Sequence, residues 1–193
     1  LTIQEFKKKL EQMVNILETK GNPFEIAVRD TVQKQAKRIF QDGLASDGNK
    51  IGTYESTKPI YVSDNAAPKR VNHKGKKGKT IKSGYYESYK AFRAAMNRES
   101  SFVNIRLTND LQSDFSNVEL SKTSNTIAKA KPIQLTSRHY ITMLKREENV
   151  RKKEGLEIKY GKIFDLTKEE KNNLREVAIF ELKLAHKRLF PNA

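Results

Sequence analysis

Between Lys69 and Lys82 the chain carries seven Lys or Arg residues and one His, with no acidic residue among them. The cations are Lys69, Arg70, Lys74, Lys76, Lys77, Lys79 and Lys82, spaced by Gly75 and Gly78. Side chains of this kind contact anions: a nucleic-acid backbone or an acidic neighbouring protein. Each lysine that neutralises a phosphate releases counterions, so such binding weakens as salt rises. The same composition also suits a solvated loop whose charge only keeps the chain in solution.

Other spacings in the chain come close to chemistry and fail on specific positions. Gly78-Lys79-Thr80 matches the end of a phosphate-binding loop. That motif needs a Gly five residues earlier, where His73 stands, and a buried strand leading in, which Pro68 to Asn72 does not offer. Asp47-Gly48-Asn49-Lys50-Ile51-Gly52 has the Asp, Asn and sixth-position Gly of a calcium loop. Ile51 takes its fifth position, however, and Lys58 the twelfth, where a bidentate Glu belongs. A tight polar turn accounts for it. His73, His139 and His186 share no metal-ligand spacing, and the chain has no Cys. No Ser, Asp or Glu stands in a recognisable nucleophile or paired-acid setting. These residues predict a non-catalytic protein with no metal and no cofactor.

The whole chain is 193 residues with a net charge of +15, the size of one domain. The charge is uneven. Residues 61–98 hold ten basic and two acidic side chains, and residues 129–162 hold ten and four. Residues 99–128 are slightly acidic, with two basic and four acidic side chains. No apolar run exceeds four residues, so the sequence predicts no membrane span and no signal-peptide core. Cytoplasmic synthesis is the expected setting.

Several elements would position the basic stretch. Thr2-Ile3-Gln4-Glu5 reads as a capping box, followed by the helical stripe Ile3, Phe6, Leu10, Met13, Val14 and Leu17. Gly21 ends that helix. Asn22-Pro23 opens another, with Phe24, Ala27, Val28, Val32, Ala36, Ile39 and Phe40 on its buried face. The pair is a helical hairpin or a kinked long helix, closed near Gly43. Residues 43–83, rich in Gly, Pro, Asp, Asn and Ser, read as an extended arm with one short extended piece, Lys58 to Val62. From Ser83, the residues Tyr85, Tyr86, Tyr89, Phe92, Ala95 and Met96 predict a short helix. Phe102 to Thr108 alternates as a strand, with Val103, Ile105 and Leu107 inward and a turn at Asn109-Asp110. Ser116–Lys122 and Ser124–Lys131 are two further strand candidates. Thr136 is expected to cap a helix carrying Tyr140, Ile141, Leu144 and Val150, ended by Gly155. Thr167-Lys168-Glu169-Glu170 is a second capping box, opening a terminal helix with His186 near its end. The expected fold is α+β: an N-terminal helical pair, a small antiparallel sheet and a C-terminal helix in one domain (1–193), with a long basic arm at 43–83.

Taken in order, these segments resemble a known family. They are the N-terminal helical pair, Asp47 to Tyr54 leading to Lys58-Pro59, the basic Gly/Lys stretch, Ile81 to Ser88, the Val103 to Leu107 run, and Tyr160 to Glu170 before a closing helix. The arrangement is similar to the tail-completion or virion-morphogenesis proteins of tailed phages. Lys82-Ser83-Gly84-Tyr85 stands for the family's central step and Phe164-Asp165-Leu166-Thr167 for its late step. The resemblance spans most of residues 20–185. It implies a small α+β domain without catalysis, assembled as a homo-oligomeric ring at the head–tail junction. Its neighbours would be portal, neck or tail proteins, and its location the virion, after assembly in the host cytoplasm. Non-specific contact with packaged DNA is a further expectation. Charge placement keeps open a nucleic-acid-binding protein that uses the clusters at 69–82 and 129–153.

Overall fold

The structure, a computed structural model, describes residues 2–19, 21–62, 71–74, 80–106, 109–121, 133–136, 139–142, 144 and 146–191. For 71–74, 80–83, 119–121, 133–136 and 139–142 it describes the backbone. The fold is α+β. No helix among the described residues is long and apolar enough to cross a membrane.

The N-terminal signals work as read. In α1 (Ile3–Glu18) the Thr2 hydroxyl accepts from the Glu5 amide, and the Glu5 carboxylate accepts from the Thr2 amide. Asn22 caps α2 (Pro23–Lys37) by accepting from the Glu25 amide at 2.9 Å. Gly21, at φ +80°, bends the chain between the two. Both helices lie against α6 (Lys168–Leu189), so the pair is a bent helix rather than a closed hairpin. Beyond α2 the helix widens into a π-helical turn, Arg38–Asp42, which buries Ile39 and Phe40 completely. Gly43 ends it at φ +65°. A Cβ there would sit 2.4 Å from the Phe102 ring and 2.6 Å from the Val103 carbonyl, so only glycine fits.

Phe40, Phe115 and Phe164 form the centre of the core, with ring centroids 5.6–6.3 Å apart. Phe115 comes from α4 (Asp110–Ser116), where the sequence suggested a turn. Leu111 and Phe115, four residues apart, put their side chains into the core from this short helix.

Two three-stranded antiparallel sheets replace the one sheet expected. The first joins β1 (Ile60–Val62), β2 (Val71–Lys74) and β3 (Thr80–Tyr86) in the order β1-β3-β2. The second joins β4 (Glu119–Ser121), β5 (Ile133–Thr136) and β6 (His139–Thr142) in the order β4-β6-β5. The described parts of 43–83 are therefore built rather than structureless: a Leu44–Lys50 bridge, then strands. Tyr85 and Tyr86 lie on β3, not on a helix. The helix begins only at α3 (Tyr89–Ala95), capped by Ser88.

Three other expectations are corrected. Residues 102–106 form no strand. The Asn104 carboxamide accepts from the Arg93 side chain and the Arg106 amide, and Ile105 has φ +55°, which a ladder does not tolerate. Val103 is nonetheless buried, while Leu107 and Thr108 lie outside the described residues. Of Ser116–Lys122, Glu119–Ser121 is strand β4 and Ser116 ends α4, while Lys122 and the whole of Ser124–Lys131 lie outside the described residues. Thr136 closes β5 instead of capping a helix, and Tyr140 and Ile141 belong to β6. Helix α5 (Glu147–Tyr160) starts later, runs through Gly155 and ends at Gly161. Its own N-cap residue, Arg146, supplies no side-chain cap. The buried Asp114 carboxylate of α4 does this instead, accepting from the Arg146 amide at 3.1 Å and the Asn149 side chain at 3.0 Å.

The second capping box is confirmed and does more than cap. Glu170 accepts from the Thr167 amide at 2.8 Å and also pairs with buried Arg38, at 2.8 Å from Nε. Removing the cap hydroxyl in Thr167→Ala should cost about 1 kcal/mol. Glu170→Ala also strands a buried guanidinium and should cost about 3–5 kcal/mol. Urea unfolding of the two variants should show that order; equal midpoints would contradict it.

Candidate functional site

The described residues hold no group of three His, Asp or Glu side chains that could bind a metal. Two clefts lie among them. One, of about 730 Å³, lies at the start of α6 between Lys34, Arg38, Asp47 and Glu170. Two of the carboxylates that line it are engaged: Glu170 by Arg38 and the cap, Asp47 by the amide and side chain of Asn49. Asp47 thus closes the tight polar turn expected from its sequence. A second cleft, of about 370 Å³, is lined by Tyr54, Tyr89, Val103, Leu156 and Tyr160 with Arg93 and Lys159. Its polar groups serve the fold, as the bonds of Arg93 below show.

The features left are surfaces. The basic stretch forms an antiparallel ribbon in its described part. Lys74 pairs in register with Thr80, and Lys82 with Asn72. Lys69, Arg70, Lys76, Lys77 and Lys79 lie outside the described residues. In the second basic cluster, Arg151 pairs with Glu147 at 2.6 Å and Lys153 with Glu157 at 2.7 Å. Arg146 lies 3.8 Å from Asp110. Carboxylates thus accompany much of the described positive charge on α5, which weakens its case as an anion site.

The root of the ribbon is anchored firmly. On β3, Tyr86 is buried with its ring 5.1 Å from Phe92 of α3. The next residue, Arg93, is 1% exposed. It donates to the Glu99 and Arg106 carbonyls and to Asn104, and lies under the Tyr54 ring at 4.2 Å. The Tyr54 hydroxyl donates to the Asn104 carboxamide and accepts from the Asn104 amide. Burial raises the Tyr54 phenol above its ordinary pKa. This network holds α3 and the 102–106 segment as one support for the strands.

Strand alternation then turns the neighbouring residues outward. Tyr85 is 40% exposed, and Tyr61, its register partner on β1, is 56% exposed. Their ring centroids are 5.3 Å apart at 53°. Tyr61 was not among the sequence-derived site residues. It lies in a three-residue strand, and only the register with β3 shows which ring it meets.

A different exposed surface lies at the other end of the chain. Helix α1 buries no residue completely. Ile3, Phe6, Leu10 and Val14 stand 88, 48, 47 and 50% exposed along one stripe. Met13, Ile16 and Leu17 are half-buried, and Phe6 touches the Phe190 ring beyond α6 at 6.3 Å. The helix carries three Lys and three Glu, so this surface is electrically balanced, unlike the ribbon.

Compared with protein-family models, with curated proteins and with solved structures, the chain gives no significant match.

Changing Lys74, Lys76, Lys77 and Lys79 together to Gln removes four charges from the basic stretch. The variant should leave a heparin column at clearly lower salt than the parent, since each lost phosphate-type contact lowers the salt slope by about 0.7–0.9. Its thermal midpoint should stay nearly unchanged. Unchanged elution would show that the basic stretch is not an anion contact.

Proposed function

We propose that the chain is a structural subunit of a tailed-phage virion. It would act without catalysis, as one copy in a homo-oligomeric ring at the head–tail junction, in a neck, tail-completion or tail-terminator role. The observation that carries the assembly part of this reading is the exposed apolar stripe of α1. Monomeric surfaces scatter single apolar residues, whereas a continuous stripe on a helix with no buried residue needs a partner. The balanced charge of α1 suits a second copy of the chain, because it adds no repulsion to the contact. In a ring the contact is heterologous, so this stripe meets a different face of the next subunit.

Support for the phage part comes from the family-like segments. Asp47 to Tyr54 wraps the core through buried Ile51 and Tyr54. Lys82 to Tyr85 belongs to β3, and Phe164 with the Thr167 cap leads from the core into α6. Such a subunit works by fitting its neighbours, so it needs a rigid core and exposed contact surfaces rather than a reactive cleft.

Two outcomes test the reading. A protein inventory of gradient-purified particles should find the chain at a few copies to about a dozen per particle, the number that the family resemblance implies and that a single ring would hold. Hundreds of copies would make it a shell or tube component, and absence would end the virion reading. Separately, Phe6→Ser with Leu10→Ser should block assembly of the purified protein, as read by light scattering, while changing stability by less than about 1 kcal/mol. Normal assembly by that variant would remove α1 as the contact.

A further inference from the structure

We infer that the cleft between α3, the 103–105 segment and the end of α5 is a binding site for a small aromatic carboxylate. This inference stands apart from the virion reading and uses neither α1 nor the basic stretch.

Three observations lead to it. First, the cleft has the size and lining of a ligand pocket. Its volume is about 370 Å³, and it is lined mainly by Tyr54, Tyr89, Tyr160, Val103, Ile105 and Leu156. Ligand sites have such apolar and aromatic walls, with a few polar groups that fix orientation. Second, the buried cation in the lining has donors to spare. The bonds that tie Arg93 to the Glu99 and Arg106 carbonyls and to Asn104 use Nε and Nη2. Among the described residues nothing accepts a hydrogen bond from its Nη1, although Arg93 is 1% exposed. Leaving such a donor without an acceptor is costly, and an anion in the cleft would supply one. Exposed Lys159 also lines the cleft, with its ammonium 4.8 Å from the Tyr160 ring centroid. It pairs with no carboxylate among the described residues. Third, the backbone of the lining is strained. Ile105 has φ +55°, which a β-branched residue rarely adopts, and strained residues gather at ligand sites. Asn104 and Arg106, on either side of it, both bond to Arg93. The side chain that offers Nη1 thus also holds this part of the lining.

Charge and shape decide between occupants. The cleft has one carboxylate in its lining, Glu55, which already accepts from the Thr57 amide and hydroxyl. A cationic ligand would find the aromatic faces taken, since Arg93 lies under Tyr54 and Lys159 over Tyr160. Inorganic phosphate would satisfy the cations but leave the apolar walls uncovered. A flat ring bearing a carboxylate meets both demands, with the ring against the walls and the carboxylate on Nη1 and Lys159.

Substituting Arg93 would disturb the fold, so the test varies the ligand and the exposed lysine. The probes are naphthoate, its neutral amide and naphthylmethylammonium. Each would be titrated into the protein by calorimetry at about 150 mM salt, which screens long-range attraction to the net charge. The variants are Lys159→Glu and the fourfold Lys→Gln change of the basic stretch.

The expected result is one naphthoate per chain, with a Kd on the order of 10–100 µM for so small a ligand. The amide should bind about tenfold more weakly or worse, because it lacks the charge that the guanidinium meets. The ammonium should not bind. Lys159→Glu should weaken naphthoate about fivefold to tenfold with its thermal midpoint nearly unchanged, and the fourfold variant should bind like the parent. The inference is overturned if naphthoate does not bind below about 1 mM, or if the amide or the ammonium binds as tightly. It is also overturned if Lys159→Glu binds like the parent, or if the fourfold variant loses as much affinity as Lys159→Glu.

Discussion

The buried pair between Arg38 and Glu170 is the constraint on which the described fold turns. Arg38 is at the start of the π-helical turn and Glu170 at the start of α6, 132 positions later. The guanidinium also donates to the carbonyls of Leu44, Ile163 and Asp165. One side chain therefore fixes the end of α2, the loop that follows it, the segment before α6 and the first turn of α6. Burial makes that arrangement strict. A charge moved out of water is tolerated only when its donors are matched, and here the matching groups come from the loop after α2, the segment before α6 and α6 itself. Glu170 is held in turn by the capping box, so the local signal and the long-range pair reinforce each other.

The core is organised around the same junction. Phe40 follows Arg38 by two residues, and Phe164 lies between Ile163 and Asp165, whose carbonyls accept from Arg38. Setting the guanidinium thus brings two of the three central rings together, and α4 adds the third. The same α4 carries Asp114, which caps α5 from outside. The described helices start in different ways: α4 has no side-chain cap at Asn109. α1, α2, α3 and α6 carry their own caps, while α5 borrows one.

What the core leaves outside is divided by charge. Helix α1 shows an apolar stripe with balanced charges, and the ribbon shows strong positive charge with an aromatic pair at its root. The physics of the two differs: burial of apolar area is short-ranged, whereas the field of a charged stretch acts at a distance. Neither requires a reactive group. In the described clefts, Glu170, Asp47 and Arg93 are committed to a cap, a turn and backbone carbonyls.

The sequence by itself determined the features whose causes lie within one turn of chain. Both capping boxes, the Asn22-Pro23 start, the core face of α2 and the position of His186 depend on neighbours three or four residues apart, and these were legible. The basic stretch was legible for the same reason, since charge is a property of composition. Only the tertiary structure decided the rest. A short run such as Tyr140-Ile141-Thr142 satisfies a helical and an extended pattern equally, and pairing with Ile133–Thr136 settles it as strand. The alternation at 102–106 promised a strand, but no partner strand takes its hydrogen bonds; Asn104, Arg93 and Tyr54 do. Gly155 did not stop α5, because a glycine in a helix costs only about 1 kcal/mol and Leu156 and Tyr160 beyond it pack on the core. The stripe of α1 looked like a buried face, yet α6 covers only part of it. The facing of Tyr61 and Tyr85, 24 positions apart, depends on register, and register is set by pairing between distant segments, which no local pattern contains.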